Sequence, residues 1–139
     1  MENCFKMESP FPNNTYQLPA YRKALEIFKI SRAVAAYFSN DKHVLEMHLS
    51  SNPQHRFAGF LVTESLQLAP GIASVASAPN RASRLKRIEE LRQAANNLKQ
   101  QCRSLEFSGI KEIEFLRMLR KEIKQFDKLM SEWIYQSGK

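Results

Sequence analysis

From Leu18 onward, apolar residues recur at helical spacing along most of the chain, and no stretch alternates with the two-residue period of a half-buried strand. The clearest pattern lies between Arg81 and Leu105, where Ile88, Leu91, Ala95, Leu98, Cys102 and Leu105 are separated by 3, 4, 3, 4 and 3 positions. The same alternation returns between Ile110 and Tyr135 through Leu116, Leu119, Ile123, Phe126, Met130 and Trp133. A seam of this kind packs one stripe of a helix against neighbours lying nearly parallel or antiparallel to it. Ser108-Gly109 separates the two patterns, and because Gly readily adopts the left-handed cap conformation, the two helices are expected to lie antiparallel across a short turn.

Upstream, a helix is expected from Leu18 to Phe38, opened by Pro19 at a position where its missing N–H is harmless. Tyr21, Leu25 and Phe28 mark one line on it and Ile27, Ile30, Val34 and Tyr37 a second, a surface wider than one partner helix needs. Ser39, Asn40 and Asp41 carry stop and cap chemistry, a short helix fits Asp41 to Leu49, and Asn52-Pro53 closes that connection. A further helix spans Phe57 to Ala78, with a bend or break at Pro70 and an end at Ala78-Pro79-Asn80. The expected fold class is all-α: an antiparallel up-down four-helix bundle over residues 18–136, behind an N-terminal arm of residues 1–17 rich in Pro and Asn. Phe115, Met118 and Leu129 widen the last helix's apolar stripe, which fits either a subunit interface or a thick core.

With 43% hydrophobic and 25% charged residues the chain has the makings of one folded domain and does not read as disordered. The N-terminus offers no apolar leader, and Cys4 and Cys102 fit no metal or redox spacing, so a reducing, cytoplasmic setting is expected. The run from Phe57 to Ala78 has Glu64 as its only charge, yet Gln67, its serines and Pro70-Gly71 dilute it, and a buried helix is expected there instead of a membrane span.

Catalytic chemistry finds little footing. His43, His48 and His55 are spaced five and seven apart, which places no two imidazoles on one helical turn, and no Glu-x-x-His pair exists, so neither metal nor cofactor is expected. There is no Gly-x-Ser-x-Gly elbow, phosphate-binding loop or Gly-rich dinucleotide turn. Cys102 falls on a seam, where it serves as a small hydrophobe. Arg32 and Glu64 lie near apolar stripes and either pair across helices or reach past them to water. An enzyme is not expected.

Charge is the informative feature. Residues 1–80 carry 7 basic and 6 acidic side chains and residues 81–139 carry 14 and 8, so +6 of the net +7 sits in the C-terminal part. On the last helix Arg117, Arg120, Lys121, Lys124 and Lys128 fall opposite the Leu116/Ile123/Met130 seam. On the preceding helix Lys86, Arg92, Lys99 and Arg103 avoid the seam, and Arg81 and Arg84 sit at its start, where cations oppose the helix dipole and an anion would relieve them. The candidate nucleic-acid-binding residues are therefore Arg81, Arg84, Lys86, Arg87, Arg92, Arg117, Arg120, Lys121, Lys124 and Lys128. Exposed aromatics are not expected among them, which points to RNA or DNA held by its backbone without base reading. The competing view is a solvated basic face on a structural or adaptor bundle whose partners are only proteins. A membrane-surface role is not expected, because the apolar sides of these helices are committed to the seams.

Several stretches are similar to a known family. "LQLAPGIASVA", "ELRQAANNLKQQCRSLEFSGI" and the closing "EIKQFDKLMSEWI", in this order of helices, resemble the four-helix-bundle proteins encoded by rRNA intervening sequences and the accessory variability proteins of diversity-generating retroelements. The likeness covers Leu18 to Ile134. Pro70 and Ile72-Ala73 match the intervening-sequence branch, whose usual Asn, Glu and final Gly are missing here; Trp133 matches the terminal Trp of the retroelement branch, with Ser131-Glu132 where a Gly-Gly pair is usual. The resemblance implies a ring-shaped homo-oligomer, usually a homopentamer, without catalysis, whose basic surfaces meet nucleic acid and, in the retroelement branch, a reverse transcriptase.

Overall fold

The computed structural model describes residues 14–38, 44–107 and 113–137, and every regular element among them is helical. Cys4, Ser39-Asn40-Asp41, His43 and the Ser108-Gly109 turn lie outside the described residues. A 3-10 turn at Thr15–Gln17 precedes α1 (Pro19–Phe38), α2 (Val44–Leu49), α3 (Pro53–Leu66), α4 (Leu68–Ala76), α5 (Arg81–Glu106) and α6 (Ile113–Ser137). Where an arm is expected up to residue 17, Thr15 is buried and Tyr16 sets its ring edge-on to Tyr21 at 5.2 Å.

α3 and α5 start where the sequence supplies a cap. The Asn52 side chain accepts the Gln54 N–H at 2.9 Å with Pro53 just inside the helix, so α3 begins four residues before the expected Phe57. The interruption expected at Pro70 falls upstream, at Gln67. A proline ring clashes with the carbonyl four residues earlier, here Leu66, and that is where α3 stops. Gln67 then donates to the Glu64 carbonyl at 3.2 Å, and Gly71 donates to Gln67 at 2.9 Å to start α4.

α1 packs on α3, α4 and α6, and α5 packs on α3, α4 and α6, which closes a circuit around one core. The two seams converge there as expected: Ile88, Leu91, Ala95, Leu98, Cys102 and Leu105 from α5 and Leu116, Leu119, Ile123, Phe126 and Met130 from α6 are all buried. On α1 the buried line is Ala20, Ala24, Ile27, Ser31 and Val34; Leu25 and Tyr37, expected on packed lines, are exposed. Small residues at Ala20 and Ala24 let α1 approach its neighbours, and Leu25 is turned away from that side. The short α2 lies against α3 at Gly59, where an added Cβ would stand 3.1 Å from that of Met47. No described helix is long and apolar enough to cross a membrane.

Two ion pairs fix how α5 and α6 face each other. Lys99 Nζ meets Asp127 Oδ2 at 2.7 Å, and Arg120 Nε lies 3.3 Å from Glu106 Oε2. Between these pairs the chain advances seven residues on α5 and retreats seven on α6, so the two helices run antiparallel, as the short link between them leads one to expect.

Candidate nucleic-acid interface

The charged face can be built from the carboxylates of α6. Glu114 pairs with Arg117 at 3.0 Å, Glu122 receives Lys23 of α1 at 2.7 Å, and Asp127 receives Lys99 of α5. The Lys23 ammonium is raised above its usual pKa, chiefly by its hydrogen bond to Glu122. Glu132 is left without a cation among the described residues of α6. The carboxylates on either flank are thus consumed by neighbouring helices, while Lys121, Lys124 and Lys128 point outward, exposed and without a carboxylate of any described residue at ion-pairing distance. With Arg117 they form one line, spaced four, three and four residues along the helix. The line spans about 16 Å at the helical rise.

α5 adds a second line. Arg92 and Arg103 sit seven residues before and four after Lys99, so all three share the side of α5 that borders α6, and Arg92 and Arg103 are exposed. Counting from the Lys99–Asp127 pair, Arg103 comes level with Lys124 and Arg92 with the neighbourhood of Tyr135. Arg81 falls in the same line five turns before Lys99. The two rows flank the α5–α6 seam and form a single basic face.

Not every expected residue joins it. Arg120 is turned toward α5, its side chain 31% exposed, and faces the nearly buried Glu106, so it closes the seam between the helices instead of extending the outward line. Arg87 donates from Nη1 to the Ser74 carbonyl at 2.8 Å, clasping the last turn of α4. Arg84 is half-buried at the start of α5, where the Asn80 side chain already accepts the Ser83 N–H at 2.8 Å. Lys86 is exposed but projects from a different side of α5 than Arg92. The gathered set is Arg81, Arg92, Arg117, Lys121, Lys124 and Lys128, joined by Lys99 and Arg103, which spacing alone left outside the candidate site.

The opposite flank of α5 carries the other sign. Glu64, Gln67, Glu89, Glu90, Gln93 and Asn97 surround a polar hollow against α3. Arg32 does not meet Glu64; its guanidinium lies over the Phe28 ring, 5.7 Å from the centroid. Between α1 and α6 an apolar groove of about 250 Å³ is lined by Ile30, Ala33, Val34, Tyr37, Phe115 and Met118.

Among the described residues no three His, Cys, Asp or Glu side chains gather as a metal site. Thr63 Oγ1 donates to the Gly59 carbonyl at 3.0 Å and lies 3.0 Å from His48 Nε2, which must therefore be the donor to it. His55 Nδ1 is 3.1 Å from Ser50 Oγ. The Cys102 thiol is buried and pushed up to about 12, first by desolvation and then by the carboxylate of Glu106. Its thiolate is therefore scarce at neutral pH.

No family model, curated protein or solved structure matches this chain.

Proposed function

We propose that this protein is a non-enzymatic nucleic-acid-binding accessory protein that holds RNA or DNA by its phosphates on the α5–α6 face. One observation carries the reading: Glu114, Glu122 and Asp127 of α6 are drawn into pairs with Arg117, Lys23 and Lys99, leaving Glu132 as the unpaired acid among the described residues of that helix, while Lys121, Lys124 and Lys128 point outward beside Arg92 and Arg103 with no carboxylate of a described residue at ion-pairing distance. Rows of cations bordering one seam neutralise successive phosphates and release their counterions. The acidic hollow on the other flank of α5 gives the molecule a charge polarity that turns the basic face toward a polyanion.

The helices are proposed to form an up-down four-helix bundle, with α3 and α4 as one broken column; the antiparallel register of α5 and α6 supports this. A ring-shaped homo-oligomer, a pentamer by the family likeness, is supported by the apolar groove between α1 and α6, since exposed apolar grooves favour subunit contact. The same likeness supplies a reverse transcriptase of a diversity-generating retroelement as the protein partner.

Charge reversal tests the reading. A variant with Lys121→Glu, Lys124→Glu and Lys128→Glu should keep its helical circular dichroism and lose retardation of a labelled RNA or DNA in a native gel, while Lys86→Glu should not. If the triple variant retards nucleic acid as well as the parent protein does, the basic face is a solvated surface and the adaptor reading takes its place. Light scattering that finds a monomer at micromolar concentration would remove the ring.

A further inference from the structure

Of the exposed apolar side chains, Phe107 and Tyr135 border the basic face, where no exposed aromatic is expected from the sequence, and Tyr135 is already engaged within the chain. A different set stands on α2. Leu45 is 70% and Leu49 77% exposed, and their spacing of four puts them side by side on one ridge of the helix. α2 has 6 residues, too few to hold together alone, so it stays folded through Met47, which is buried with Ala58 and Val62 of α3 and Ala35 of α1. That anchor turns the leucine ridge outward. Glu46 is exposed beside the ridge, with no cation of a described residue at ion-pairing distance.

The apolar groove between α1 and α6 lies on the other flank of α1. Ala35 and Phe28 belong to the α2 and α3 side, whereas Ile30, Ala33 and Tyr37 line the groove. It is hollow because the small Ala33 stands between Ile30 and Tyr37 on one wall, with Phe115 and Met118 on the other. The wall from Ile30 to Tyr37 runs about 10 Å at the helical rise, and the ridge from Leu45 to Leu49 about 6 Å, so the ridge fits within it. Lys29, one turn before Ala33 on the outer edge, is exposed and has no carboxylate of a described residue at ion-pairing distance.

We infer that α2 of a second copy docks in this groove, with Leu45 and Leu49 over Ala33 and Glu46 toward Lys29. The inference rests on the oligomer reading and names the two surfaces that meet. Each surface is apolar at its centre and carries an uncompensated charge at its edge, and the charges are opposite, so apolar area leaves water while the charges are paired at the rim. Because ridge and groove lie on different sides of one chain, the contact is head-to-tail. Every copy gives one and receives one, which closes a ring or runs on as a filament.

Light scattering of the full chain at micromolar concentration, with circular dichroism to follow helicity, reads the outcome. The parent protein should be oligomeric. Leu45→Asp with Leu49→Asp spoils the ridge and Ala33→Trp fills the groove; all three side chains are exposed, so each variant should keep its helices and run as a monomer. Mixed in equal amounts, the two variants should form a dimer and stop there, because one intact ridge then meets one intact groove. Glu46→Lys and Lys29→Glu should each weaken assembly by about two- to fivefold, and the two together in one chain should recover most of the loss. A folded ridge or groove variant that assembles as the parent does would overturn the inference and leave the oligomer reading standing. Mixtures that stay monomeric would do the same, since copies would then meet ridge to ridge or groove to groove. If either variant loses its helical signal, the charge swap decides, and a swap that recovers nothing overturns the inference. A parent protein that stays monomeric overturns the oligomer reading itself, and this contact with it.

Discussion

Lys99 on α5 and Asp127 on α6 meet at 2.7 Å, and this contact marks the border along which the two helices, held by their buried seams, face each other. With Asp127 held inward by Lys99, the acid left on the side of Lys124 and Lys128 is Glu132, one turn beyond Lys128 and two beyond Lys124. The pair thus links the packing of α5 on α6 to the sign of the surface they share.

Asp127→Asn should therefore separate stability from binding. Both side chains are about 30% exposed, so solvent screens the pair and its loss should cost at most about 1 kcal/mol in urea unfolding. Freeing Lys99 and removing a negative charge should raise affinity for oligothymidylate by a few-fold at low salt. A folded variant with lower affinity would contradict the placement of Lys99 on the binding face.

Gly71 marks a close approach of α4 to α5. A Cβ there would stand 2.7 Å from Leu91 Cδ1, and Leu91 is held in the core. Overpacking should outweigh the better helix propensity of alanine, so Gly71→Ala should lower unfolding free energy by about 1–2 kcal/mol. Adding Leu91→Val should recover part of that loss, a coupling that a double-mutant cycle reads directly. An unchanged denaturation midpoint for Gly71→Ala would show that α4 can move away freely.

Cys102 makes stability depend on alkaline pH. Its thiol titrates near 12 in the folded chain and near its ordinary value of 9.0 once exposed, so above pH 9 the unfolded state sheds a proton that the folded state keeps. Stability must then fall as pH rises from about 9 to about 12, by up to about 1.4 kcal/mol per pH unit from this group. In a Cys4→Ser background, adding Cys102→Ala should flatten that decline, and a thiol reagent at pH 8 should label Cys102 only on unfolding. Rapid labelling of the folded protein would place the sulfur outside the core.

Much of this arrangement is written in spacing. The 3-4 alternation of α5 and α6 marks their buried residues, because heptad-like repetition leaves one side of a helix no choice but the core. Spacing alone says less about α1, where Leu25 and Tyr37 share lines with buried residues yet face water; a helix meeting three neighbours buries its small alanines and its edges depend on where those neighbours lie. The candidate site was legible as a charge excess but not as a set of residues. Whether Arg120 points out or across depends on Glu106 of another helix, and whether Arg87 is free depends on a carbonyl of α4.

The salt dependence of binding tests the central claim most directly. Plotting log K for oligothymidylate against log of salt concentration should give a steep negative slope, and reversing Lys121, Lys124 and Lys128 should reduce its magnitude by about two, the share of three phosphate contacts on a single strand. Equal slopes for the parent and the triple variant would contradict a phosphate grip by this face.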